Sequence, residues 1–128
     1  MNPVFNPLLL VAGKTVWATE GAMSNVQIVL CSFPDLPKAR HIGTLMIEKQ
    51  LVACVNLIPA VESIFSWEGR TTLEHEVLAV FKTTSERLIE LEQELGALHP
   101  YEVPEFLVVP VAAGGEDYLK WVQTVTAR

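Results

Sequence analysis

The chain reads as an α+β domain: a ferredoxin-like βαββαβ sandwich with a long hairpin joining its second and third strands and an extra helix at the C-terminus. Two observations predict it. Apolar runs rich in β-branched residues recur at positions 26–31, 53–67, 71–83 and 106–109, and helical periodicity follows the first and the third. Two right-handed split βαβ units then give a four-stranded antiparallel sheet in the order 4-1-3-2, with the two crossover helices on one face. A length of 128 residues suits one domain with a core of its own.

Residues 1–25 read as an N-terminal extension and residues 26–128 as the folded domain. Leu8 to Ala12 is apolar but short, and no basic residue precedes it, as a signal peptide requires. Met23 stands just ahead of the first strand, so Met1 to Ala22 reads as a dispensable extension from an upstream start, with a weak targeting peptide as the alternative.

Val26 to Cys31 is a buried strand by its apolar run. Ser32-Phe33-Pro34-Asp35 breaks it, with Asp35 as helix N-cap and Pro37 in the first turn. The helix runs to about Leu51, with Ala39, Ile42, Met46 and Lys49 at helical spacing and Leu45 widening the stripe. Gly43 costs this helix stability and is expected to mark a close approach to the sheet.

The next two runs are extended, and Trp67-Glu68-Gly69-Arg70 supplies the turn between them. Each strand would be roughly 40 Å long at ~3.3 Å per residue, so the hairpin tip projects beyond a domain of this size. Ile64, Phe65 and Trp67 near the tip are costly to leave exposed, which predicts packing across subunits. Thr83-Thr84-Ser85-Glu86 matches a capping box. Leu88, Leu91, Leu95 and Leu98 line one face of the helix that follows. Phe106 to Val109 reads as a buried strand, and a last helix carries Tyr118, Trp121, Val122 and Val125 on one face.

Composition narrows the function. Nine basic against 15 acidic residues give a net charge of −6, which argues against nucleic acid and anionic membranes as partners. No apolar run approaches the ~20 residues that cross a bilayer. Mean hydropathy is +0.32, so the surplus apolar surface is expected in subunit contacts. Cys31 and Cys54 lack CxxC spacing, and the sheet order sets them on different strands at opposite places, so two free thiols and a reducing compartment are expected. There is no phosphate loop, nucleophile elbow or Ser-His-Asp order, and the chain reads as a non-enzyme.

The densest chemistry lies in His99-Pro100-Tyr101-Glu102-Val103-Pro104-Glu105, where two prolines stiffen an imidazole, a phenol and two carboxylates between helix and strand. Because strands 1 and 4 are antiparallel neighbours, the end of strand 1 meets the start of strand 4, which brings Cys31 towards this corner.

The ordered set Val29-Leu30-Cys31, Ala53-Cys54-Val55-Asn56-Leu57-Ile58-Pro59, Ser63 to Gly69, Glu76-Val77-Leu78, Phe81-Lys82-Thr83-Thr84, His99 to Glu105 and Tyr118-Leu119-Lys120-Trp121 resembles the CutA divalent-cation-tolerance proteins across residues 26 to 127. The resemblance implies a homotrimer with long hairpins at the subunit contacts, a cytoplasmic role linked to copper and other divalent metals, and a likeness to PII signalling trimers. Carried over by position, Cys31 and His99 are the candidate metal ligands. A thiolate with an imidazole suits copper or zinc. Some members carry a second histidine where this chain has Leu98, and many carry tyrosine where it has Phe65.

Lys82 at the end of an apolar strand is a candidate anchor for an anionic ligand, Tyr101 a candidate wall of a cleft, and Glu102 a candidate cation ligand or partner of Lys82 or Arg40. A copper-binding trimer and a PII-like sensor of a small anion are therefore the two readings. For each residue a structural role is the plain alternative: a core thiol for Cys31, a helix-end cap for His99 and an ion pair for Lys82.

Overall fold

The computed structural model describes residues 24–128; the predicted extension up to residue 23 lies outside the described residues. The elements are β1 (Val26–Phe33), α1 (Leu36–Glu48), β2 (Cys54–Trp67), β3 (Arg70–Thr84), α2 (Leu88–Leu98), β4 (Leu107–Pro110) and α3 (Glu116–Thr126). The sheet order β2-β3-β1-β4 is the predicted 4-1-3-2 order, antiparallel throughout.

One face of the sheet carries the core. Val29, Cys31 and Phe33 of β1 and Val77, Ala79 and Phe81 of β3 are buried there against Ala39, Ile42 and Met46 of α1 and Leu91 and Leu95 of α2. Asp35 caps α1 by accepting the Lys38 N–H at 2.8 Å. A Cβ on Gly43 would stand 3.2 Å from Val55 Cγ1, so this glycine does mark where α1 lies close on β2.

Among the described residues, the opposite face is covered only at one end, where Leu119 and Val122 of α3 meet Val26 and Ala53. Beyond α3 the same face shows half-buried Leu30, Leu78 and Val80, with Ile58 and Leu107 exposed beside them. The hairpin reverses through Glu68 and Gly69, both at positive φ (50° and 77°), the geometry that matches the twist of two paired strands. A register shift between Ile58 and Val61, with Ala60 at φ 62°, interrupts the β2–β3 ladder. Past this bulge the hairpin projects, leaving Ile64 65% and Trp67 56% exposed.

Four local expectations are corrected. The strand predicted as buried at 106–109 is an exposed edge, Leu107–Pro110, because among the described residues β4 pairs only with β1 and nothing covers its outer side. The capping box does not form: a 3-10 turn at Ser85–Arg87 opens the region, Thr83 Oγ1 donates to the Leu51 carbonyl at 2.6 Å, and the Thr84 hydroxyl lies 3.1 Å from that of Thr126. Leu98, expected on the buried stripe of α2, is exposed at the helix end. In α3 the buried face is Leu119, Val122 and Thr126, whereas Tyr118 and Trp121 stand outside it with ring centroids 5.5 Å apart.

Asn25 belongs with the domain rather than ahead of it. Its carbonyl accepts the Ser85 N–H at 2.9 Å, and its side chain bonds Glu86 and Gln123.

Candidate functional site

The site is built from the end of α2 outward. His99 leaves the helix in an extended conformation, as the residue before a proline must, while its N–H still donates to the Leu95 carbonyl at 2.8 Å. Its ring stacks on Phe33 at the end of β1, with centroids 4.6 Å apart. The Tyr101 N–H donates to Nδ1 at 3.0 Å, so Nδ1 is the bare nitrogen; Nε2 carries the proton and donates to the Ser32 carbonyl at 2.7 Å. The Tyr101 hydroxyl donates to Glu76 Oε2 of β3 at 2.6 Å. One imidazole and one phenol thus fasten the corner to both central strands.

The electrostatics follow from burial beside carboxylates. Burial disfavours the His99 imidazolium and lowers its pKa, partly offset by the Ser32 carbonyl and Glu76. Tyr101 is held above the usual phenol range, first by burial, then by its bond to Glu76 and the charges of Glu76, Glu74 and Asp35. The Cys31 thiol is pushed up to about 12 by burial, with Glu105 and Glu76 adding to it. The corner is therefore a region of negative potential, the sign that attracts cations.

The sheet brings the corner to the end of β1, as the topology predicts, but the two candidate metal ligands sit differently. Cys31 is sealed in the core, its thiol 3.9 Å from the Ser32 carbonyl. His99 is only 8% exposed and both its nitrogens are engaged. An ion bound to His99 has to replace one of those bonds, and one bound to Cys31 requires a thiolate inside the apolar layer. Among the described residues, no three or more His, Cys, Asp or Glu side chains are grouped to hold a metal ion. The described donors of one subunit do not make a complete metal site.

Lys82 stands elsewhere. It lies opposite Cys54 on β2 and Ile28 on β1. Its ammonium donates to Asn56 Oδ1 and lies 3.9 Å from Cys54 Sγ. Glu76, which holds Tyr101, is six residues away along β3, roughly 20 Å at ~3.4 Å per residue. Lys82 and Tyr101 thus share no site within one subunit. Glu102 is exposed, and its expected pairing with Lys82 or Arg40 is not among the ion pairs of the described residues. Ser32, Phe33 and Glu76 are the functional neighbours that sequence reasoning missed. Ser32 acts through its backbone, which leaves no side-chain signal, and nothing in the alternation of β3 distinguishes Glu76 from Glu74.

The profile of the CutA1 divalent ion tolerance protein family matches residues 27–125. The chain belongs to this family. It is 38% identical over 100 residues to the divalent-cation tolerance protein CutA of Thermus thermophilus, covering 78% of this chain and 97% of that one. The fold is similar to the crystal structure of CutA from Xylella fastidiosa, with TM-score 0.79, 33% identity, and coverage of 81% and 100% of the two chains. It is also similar to a structure described as the periplasmic divalent cation tolerance protein CutA of Archaeoglobus fulgidus, with TM-score 0.77, 31% identity, and coverage of 80% and 99%. The CutA1 match includes both cysteines, Lys82 and the whole His99 to Glu105 corner.

Proposed function

We propose that the chain serves tolerance of copper or another divalent ion as a non-enzymatic homotrimer, with the ion held where subunits meet. The observation that carries the proposal is the half-covered sheet. Leu30, Ile58, Leu78, Val80 and Leu107 form an apolar surface beyond α3, and the hairpin tip adds Ile64 and Trp67. Apolar area of this kind is buried in an assembly rather than left in water. Family membership supports the link to divalent cations, and the negative corner supports the sign of the charge. The described residues of a single subunit offer too few grouped donors, so a neighbouring subunit completes the coordination. Free Cys31 and Cys54 support a reducing compartment, the cytoplasm; the Archaeoglobus relative is described as periplasmic, and cell fractionation separates the two.

Native mass spectrometry tests the assembly: a mass three times that of the chain is expected, and a monomer at micromolar concentration overturns it. Copper titration into wild type, Cys31→Ser and His99→Ala tests the ligands. Weaker binding in either variant keeps that residue as a ligand, and unchanged affinity in both removes the pair.

A further inference from the structure

At the end of the sheet away from the His99 corner, a cleft of about 280 Å³ opens between the 3-10 turn at Ser85–Arg87 and the last turn of α3. Asn25, Thr84, Glu86, Arg87, Gln123 and Thr126 line it. Thr84 stands eight residues along β3 from Glu76, roughly 27 Å at ~3.4 Å per residue. Arg87 supplies a cation. Its Nε donates to the Thr126 carbonyl at 2.9 Å, which fixes the guanidinium plane. Its two terminal nitrogens have no carboxylate partner among the ion pairs of the described residues. Arg128, also at the cleft, is taken up by Glu90 at 2.7 Å and the Lys49 carbonyl at 3.1 Å. The other lining groups offer acceptors. The Thr126 hydroxyl donates to the Val122 carbonyl at 2.9 Å, so it accepts from Thr84 at 3.1 Å. Thr84 Oγ1 thus keeps its own acceptor pairs, although the residue is only 3% exposed. Gln123 donates its amide N–H to Asn25 Oδ1 at 3.1 Å, and its side-chain oxygen has no partner among the described residues. Glu86 binds Asn25 through one carboxylate oxygen and keeps the other.

We infer that this cleft binds a small free α-amino acid, with its carboxylate on Arg87 and its ammonium among Glu86, Gln123 and Thr84. With Nε committed to Thr126, the two terminal nitrogens still present the parallel pair of N–H groups that grips both oxygens of a carboxylate. An ammonium has three donors and no acceptor, which matches three acceptors of which one is charged. A buried hydroxyl ordinarily has its hydrogen-bonding capacity met, and the ammonium meets that of Thr84. Both signs of charge line the cleft, so a ligand carrying both is favoured over a simple anion, which Glu86 would oppose. The volume lies below the ~300–1,000 Å³ typical of pockets for drug-sized molecules, which limits the ligand to a small side chain. This inference is independent of the proposed metal role, which belongs to the other end of the sheet.

The test uses the full native protein and three probes of one shape: L-alanine, L-lactate and propionate, which carry an ammonium, a hydroxyl and a hydrogen at the same carbon. Calorimetric titration should rank alanine above lactate and lactate above propionate. Arg87→Gln, with folding checked by circular dichroism, should weaken alanine and lactate at least about tenfold. Glu86→Gln changes an exposed side chain and should weaken alanine several-fold while leaving lactate unchanged. A second measurement needs no variant. Alanine should shift the backbone amide resonances of Asn25, Gln123 and Ala127 and leave that of Tyr101 in place. Equal affinities for the three probes, tighter binding of inorganic phosphate than of alanine, or alanine shifts confined to residues outside the cleft overturns the inference. So does an absence of alanine binding at about 10 mM.

Discussion

His99 Nε2 donates to the carbonyl of Ser32 at 2.7 Å, joining residues 67 positions apart in sequence and tying the end of α2 to the end of β1. The same ring accepts from Tyr101 and stacks on Phe33, so its loss leaves a part-buried carbonyl without a partner as well as a gap. His99→Ala should destabilise the fold by about 1–3 kcal/mol. Urea unfolding of the two proteins checks this, and a change in midpoint too small to measure would mean that the ring is not a fastener.

The same ring sets an acid limit. Its folded pKa lies below the ordinary value of 6.5, so the unfolded chain binds its proton first as pH falls. The stability it contributes is fully present above about 6.5 and is lost as pH drops below that. A protonated Nδ1 can no longer accept the Tyr101 N–H. Metal-free wild type should therefore lose stability below neutrality more steeply than His99→Ala, which is read from Tm against pH.

Cys31 sets an alkaline limit of opposite sense. With its folded pKa pushed up to about 12, the unfolded thiol ionises first as pH rises past about 9. Its contribution is present below that value and declines above it. Cys31→Ala should flatten the fall of Tm between pH 9 and pH 10 relative to wild type.

Gly43 tests the helix–sheet contact. A Cβ there meets Val55 Cγ1 at 3.2 Å, close enough that Val55 must give way, while the helix itself gains up to ~1 kcal/mol from alanine. Gly43→Ala should be near neutral. Gly43→Leu, which adds bulk that the contact cannot absorb, should cost about 1–3 kcal/mol in thermal or urea unfolding.

A charge on the uncovered sheet face reports on assembly. Val80→Glu leaves the helix-side core untouched but places a carboxylate among Leu30, Ile58 and Leu78. Light scattering should show dissociation to a smaller species with the secondary structure retained. An unchanged oligomer would remove this face from the subunit contact.

Much of the fold was legible because its signals are local. β-branched runs, Asp35 before a helical period and the Glu68-Gly69 pair each act within a few residues, and strand order follows from chirality. Exposure was less legible. Leu107 to Val109 look like a core strand in composition, and only their place at a sheet edge leaves them open in one subunit. Thr83 and Glu86 look like a capping box, yet their side chains are taken by the Leu51 carbonyl and Asn25 from distant positions. The corner was visible as a cluster of chemical groups, and its approach to the end of β1 followed from topology. Its acceptors were hidden because one is a backbone carbonyl. The separation of Lys82 from Tyr101 depends on which strand residue the phenol reaches, a tertiary contact with no mark in the local sequence.

The interruption near Pro59 and Ala60 divides the hairpin into a root and an arm. The root shares its amides with the central ladder and should exchange hydrogen only when the whole domain opens. The arm has only its own two strands for support, so its persistence is set by whatever it rests upon, and an isolated subunit would show it as the first part to take up deuterium.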